Sequence, residues 1–167
     1  MDKTLFEKYI NEMRAMKASA IPEPKRPAAV VYRGNDKDMT GSGTLKIRVT
    51  SVRGLYPVAN AKVTVFTGNA DGMTVIAEGN TDISGASPDF TLPAPAAALT
   101  ESPDPKSRPY ALYNILTEAD GFTKTYNYNV AVFDGVTSLQ TVELIPLSTE
   151  PNKNQPIIID EYEEYTL

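Results

Sequence analysis

The sequence predicts an all-β protein: a seven-stranded β-sandwich carried between a short N-terminal α-helix and an extended C-terminal tail. Three observations predict it. From Gly43 to Leu147 apolar residues recur with a period of two, as in Leu45, Ile47 and Val49 between Lys46, Arg48 and Thr50. Turn residues interrupt that pattern at short, regular spacing, at Gly54 and Pro57, 69–72, 82–85, Asp120-Gly121 and Asp134-Gly135. No stretch with helical period falls between them, and short strands in series without helices make a sandwich or barrel.

The elements follow in order. Residues 1–18 read as an amphipathic helix. Leu5, Phe6, Tyr9, Ile10, Met13 and Met16 fall three and four apart and share one face, while Lys3, Glu7, Lys8, Glu12 and Arg14 take the other. Asp2 can cap its start. A helix this short needs a surface to pack on. Residues 19–42 read as a linker, since Pro22, Pro24 and Pro27 favour extended chain. Asn35, Asp36 and Asp38 hint at a calcium loop, but no glutamate stands at the closing twelfth position, so no metal is expected there.

Residues 43–148 read as the sandwich. Its strands are expected at 45–50, around Val63 and Val65, at 73–78, 90–92, 110–119, 122–133 and 137–144. The prolines between 93 and 109 cannot donate to a ladder, so that segment is an excursion over the surface, with a helical turn near Ala96 to Thr100. In the long strand, strict alternation puts Phe122, Tyr126, Tyr128 and Val130 on one face, read as the core with Asn127 and Asn129 turned outward; the alternative is an exposed aromatic row that stacks on sugars or contacts a partner. Residues 149–167 form an acidic tail. Within it Ile157, Ile158 and Ile159 make a candidate strand, and Tyr162 and Tyr165 sit among carboxylates.

Composition excludes several chemistries. The chain has neither cysteine nor histidine. No disulfide, thiolate metal site or Ser–His–Asp constellation is available. The carboxylates, such as Asp82 with Asp89 or Glu101 with Asp104, lie in expected turns with no cleft framed between them. The glycines punctuate turns and form no phosphate loop. The chain is therefore expected not to be an enzyme and to need no cofactor. A net charge of −5 argues against a nucleic-acid partner. No apolar run is long enough to span a bilayer, and the charged N-terminus shows no secretory signal peptide.

The residues also resemble a family. The run Gly54, then Pro57-Val58-Ala59-Asn60-Ala61-Lys62-Val63-Thr64-Val65, resembles the opening of carboxypeptidase-regulatory-like domains, which are transthyretin-like (prealbumin-like) sandwiches. Thr81 to Gly85 before Phe90-Thr91-Leu92 looks like their next turn and strand. Tyr113, then Glu118-Ala119-Asp120-Gly121-Phe122, looks like their later turn. The resemblance covers residues 43–147 and implies a Greek-key order of strands. A narrower likeness, carried by Ser102 to Pro105, Arg108-Pro109-Tyr110, Val132 to Gln140 and Leu144 to Leu147, is to domains of clostridial spore- and envelope-associated proteins. The fold is also similar to collagen-adhesin B-type repeats, some of which crosslink a lysine to an asparagine beside a carboxylate. Lys46 and Glu118 match two of those positions, and the stretch from Thr141 to Leu147 offers no asparagine.

The resemblance implies a structural or adhesive role at a bacterial cell surface, a spore surface or a released particle. The expected partner is another copy of the chain, in a homo-oligomer or filament. Its interface would be Leu5, Phe6, Tyr9, Ile10 and Met13 from the helix and Ile157, Ile158, Ile159, Tyr162 and Tyr165 from the tail. The alternative is a binding module that holds cell-wall glycan or an envelope protein through its 93–109 loop.

Overall fold

A computed structural model describes residues 39–101 and 108–161. The expected helix with Leu5, Phe6, Tyr9, Ile10 and Met13, most of the linker, and Tyr162 and Tyr165 lie outside the described residues.

The described chain forms two sheets. One is built around β1 (Gly41–Ser51). On one side β1 pairs antiparallel with β2 (Tyr56–Pro57) and β5 (Phe90–Ala94). On the other side it pairs in parallel with β8 (Thr137–Leu144). The second sheet runs β4 (Thr74–Asn80), β3 (Lys62–Thr67), β6 (Tyr110–Glu118), β7 (Thr125–Phe133) and β9 (Ile157–Asp160). All its neighbours are antiparallel except β9, which lies parallel to β7. Nine strands are described, so the expected seven fell short. The two additions are the short β2 and, from the tail, β9. The first strand also begins at Gly41, inside the stretch read as linker.

Alternation explains the core. Leu45, Ile47 and Val49 of β1, Val63 and Val65 of β3, Ile115 of β6, Val132 of β7 and Val142 and Leu144 of β8 are fully or almost fully buried in one cluster. Each such side chain is worth about 1.5–3 kcal/mol in transfer from water. Between them Lys46 and Arg48 face outward. Where β1 crosses the end of β7, a side chain at Gly43 would place its Cβ 2.1 Å from the Phe133 carbonyl oxygen, so only glycine fits.

One aspartate organises the edge near the 93–109 segment. The carboxylate of Asp134, in the turn before β8, accepts the backbone N–H of Ser42 at 2.9 Å and of Ala97 at 3.0 Å. It thereby joins the start of β1 to the 3-10 turn Ala97–Glu101 that follows β5. Those N–H donors, Ala97 first and then Ser42, hold its carboxyl below the usual aspartate range. Tyr113 donates its hydroxyl to the Pro93 carbonyl at 2.7 Å, and burial pushes its phenol up.

Strand β7 departs from the simple alternation. Tyr113 faces Val130 and Ile115 faces Asn127, so Tyr128 and Asn129 together oppose Asn114. This is a β-bulge, and Asn129 adopts a left-handed φ of 62° to make it. The side chain of Asn114 completes the bulge: its Oδ1 accepts the Asn129 N–H at 3.1 Å, and its Nδ2 donates to the Gly68 carbonyl at 2.8 Å. Past the bulge the faces exchange. Val130 and Val132 point into the core, and so do Asn127 and Thr125, which share a face with their partners Ile115 and Thr117. The expected grouping of Tyr126 and Tyr128 with Phe122 and Val130 is therefore wrong, and so is the outward placement of Asn127 and Asn129. The asparagines are 1% and 3% exposed. The tyrosines stand on the opposite face of the five-stranded sheet.

Candidate functional site

The tyrosines form part of a second apolar cluster, on the face of the sheet turned away from the core. Phe66, Leu116 and Tyr128 are buried there, with Met73, Tyr126 and Ile158 packed against them. Phe66 meets Tyr126 and Tyr128 edge-on, with ring centroids 6.4 and 6.2 Å apart, and the two tyrosines stack at 6.1 Å. Edge-on and offset contacts of this kind suit the aromatic quadrupole. The bulge is what brings Tyr126 and Tyr128 to this side.

Strand β9 lies at the rim of that cluster, at the border of the sheet. Its isoleucines, expected at an interface, pair within their own chain: Ile157 faces Thr125, Ile158 faces Tyr126 and Ile159 faces Asn127. The Ile157 N–H donates to the Lys124 carbonyl and the Glu161 N–H to the Tyr128 carbonyl, each at 2.9 Å. Ile158 packs into the aromatic cluster, while Ile159 is 37% exposed.

Side chains fix the strand further. Asn127 Nδ2 donates to Glu161 Oε1 at 2.6 Å, and Asn129 Nδ2 to Asp160 Oδ1 at 2.9 Å. Gln140 of β8 donates to the same Glu161 oxygen at 2.8 Å, so Glu161 bridges the two sheets. None of Asn114, Asn127, Asn129, Gln140, Asp160 and Glu161 stands out as a site in the sequence. The available signal was the pair of asparagines inside a strand, where Asn is disfavoured unless a bulge or left-handed residue requires it.

Before the start of β7 an open cleft of about 350 Å³ is lined by Asn60, Lys62, Glu118, Asp120, Phe122 and Lys124. Three of its charges, Lys62, Glu118 and Lys124, are engaged within the chain. Lys124 meets Glu118 at 2.6 Å, and that hydrogen bond raises the Lys124 pKa. Lys62 meets Glu78 at 2.9 Å, and its hydrogen bond holds the Glu78 carboxyl below its ordinary value. The two positions matching a crosslinking repeat are thus separately occupied, because Lys46 pairs with Asp89 at 3.2 Å. Among the described residues no group of three or more His, Cys, Asp or Glu is placed to hold a metal ion. No helix among them is long and apolar enough to cross a membrane.

No protein-family model matches the chain. No curated protein matches it either. Solved structures similar to it include the Bacillus anthracis TIE protein, at 14% identity and a TM-score of 0.40, covering 64% of this chain and 17% of that one. GBS52, the minor pilin of Streptococcus agalactiae, matches at 14% identity and 0.42, covering 66% and 47%. Wild-type Acinetobacter radioresistens catechol 1,2 dioxygenase matches at 13% identity and 0.43, covering 78% and 60%. This chain spans less than two thirds of the length of each. These matches correct one expectation. Several similar structures are catechol 1,2-dioxygenases, so the reading of this chain as not an enzyme does not stand. At this identity and TM-score the likeness brings no particular activity with it.

Proposed function

We propose that the chain is a structural or adhesive module of a bacterial surface, spore or released-particle assembly. Its body would be a Greek-key sandwich of the transthyretin-like, carboxypeptidase-regulatory-like kind. Copies would associate through the terminal segments, the apolar stripe of Leu5, Phe6, Tyr9, Ile10 and Met13 and the strand Ile157 to Ile159 with Tyr162 and Tyr165, into a filament or large homo-oligomer. The observation that carries this reading is β9 itself, a four-residue strand from the tail that forms the border of the five-stranded sheet. Border strands present main-chain donors and acceptors to a neighbour, and their side chains set register.

Mass-resolved sizing and negative-stain microscopy of the full chain test it, beside chains lacking residues 1–20 or 152–167. Oligomers or filaments that collapse on either truncation are expected. A monomer in all three preparations refutes self-association and turns attention to the 93–109 loop as a binding surface.

A further inference from the structure

We infer that β9 is an exchangeable strand: the seat it fills on β7 of its own chain also receives β9 of a second copy. This rests on the assembly reading above and names the partner surface. The first support is the selectivity of the seat. Any extended peptide can supply a ladder to β7. Few can also place an isoleucine against Phe66, Leu116 and Tyr128, then carboxylates on Asn129 and Asn127 two and three positions further on. Both asparagines are almost fully buried, so a strand without those acceptors would leave their amides unsatisfied. The segment that satisfies the seat is this chain's own, and the partner it fits is therefore another copy.

The second support is the connection. The chain is pinned up to Leu147, where the Leu147 N–H donates to the Gly121 carbonyl and the Thr123 N–H to the Ile145 carbonyl. Residues 148–156 then lead to β9, and none of them is buried. Their hydrogen bonds close the segment on itself. Asn154 Oδ1 accepts the Ser148 N–H at 2.7 Å, and Asn154 Nδ2 donates to the Ser148 carbonyl at 2.9 Å. The 3-10 turn Pro151–Lys153 lies inside that latch, with Lys153 on Glu150 at 3.1 Å. Opening the latch disturbs no core packing. The freed stretch, extended, spans about 30 Å, and Pro151 and Pro156 favour the extended form.

Every contact that β9 makes with β7, β8 and the aromatic cluster is regained on the second copy, so exchange costs the local bonds of the latch and the freedom lost on association, and high chain concentration offsets these costs. Reciprocal exchange closes a two-fold dimer, and head-to-tail exchange builds an open chain of subunits.

Engineered cysteines test this on a chain that has none of its own. Tyr126 and Ile158 are register partners across β7 and β9. Full-length Tyr126→Cys and Ile158→Cys chains are mixed at high concentration, incubated and oxidised. Disulfide-linked dimers holding one chain of each kind are expected, well above those formed by either chain alone. Asn154→Ala, which removes the latch, raises the dimer association constant of the otherwise unaltered chain by about tenfold in sedimentation equilibrium. The doubly substituted chain at high dilution forms an intrachain disulfide, which reports a folded seat. If no mixed dimer forms while the unaltered chain still assembles, exchange is overturned and the assembly reading stands. If the unaltered chain is monomeric at every concentration, both fall. If the cysteine chains do not fold, an Asn154→Ala chain with an unchanged association constant overturns exchange by itself.

Discussion

Replacing Asn127 by alanine separates the hold on β9 from the stability of the sandwich. The Asn127 amide donates to the Glu161 carboxylate at 2.6 Å. Hydrogen bonds to a charged group are worth about 1.5–3 kcal/mol. Two features of the site bring this one to the low end or below. Glu161 is exposed, and it keeps Gln140 as a second donor. The substitution also removes Asn127 Oδ1, a buried acceptor with no hydrogen-bond partner, whose desolvation is a cost in the native chain. The net loss is about 1 kcal/mol, or about fivefold in the equilibrium that opens β9. Amide hydrogen exchange followed by mass spectrometry reads this directly, because local opening exposes only the amides of the segment that opens. Peptides spanning 157–161 and the β7 amides facing them should exchange about fivefold faster, with β3 and β6 unchanged. Uniform acceleration through both sheets would mean that Asn127 supports the core and not the seat. No acceleration anywhere would mean that the bond contributes nothing.

Three further outcomes are expected. At the bulge, Asn129→Gly keeps the left-handed backbone and loses only side-chain bonds, whereas Asn129→Ala loses the same bonds and adds left-handed strain, so the alanine chain should be less stable than the glycine chain by about 1 kcal/mol in urea unfolding. Phe66→Ala empties the centre of the aromatic cluster and should cost about 3–5 kcal/mol, read as a lower midpoint in the same assay. In acid, Asp82 and Asp134 should report together. The Ser84 hydroxyl and then the N–H groups of Ala86 and Ser84 hold Asp82 below its ordinary value of 3.8, as backbone N–H donors do for Asp134. A carboxyl whose folded pKa lies below its unfolded one contributes stability above the unfolded value and loses it as pH falls through the folded one. The unfolding midpoint should therefore drop as pH falls below about 4, and Asp82→Asn with Asp134→Asn should flatten that drop; an unchanged slope in the double variant refutes the assignment.

Much of this architecture is legible in the residues because a strand with one buried face declares itself locally. Lys46 and Arg48 between Leu45, Ile47 and Val49 suffice to show which face of β1 meets the core. The aspartate-glycine turns declare themselves in the same way: Gly121 and Gly135 both adopt the positive φ that such turns demand. The candidate strand at Ile157 to Ile159 was legible as a strand, from its run of β-branched residues. What it pairs with was not.

The remaining features depend on contacts between distant residues. A bulge inserts one residue, and each residue past it faces the other way. Nothing within five residues of Asn129 shows that Asn114 holds its N–H, since the two lie fifteen positions apart. The burial of Asn127 and Asn129, the tyrosine cluster outside the core and the carboxylate clamp from Asp160 and Glu161 all follow from that slip. The sequence by itself determined the strands, most of their faces and the turns, because these arise from side-chain periodicity and backbone preference over a few residues. Only the tertiary structure decided which strand lies beside which, where the alternation reverses and where the tail docks, because those depend on pairing energies between segments that meet only once the chain has folded.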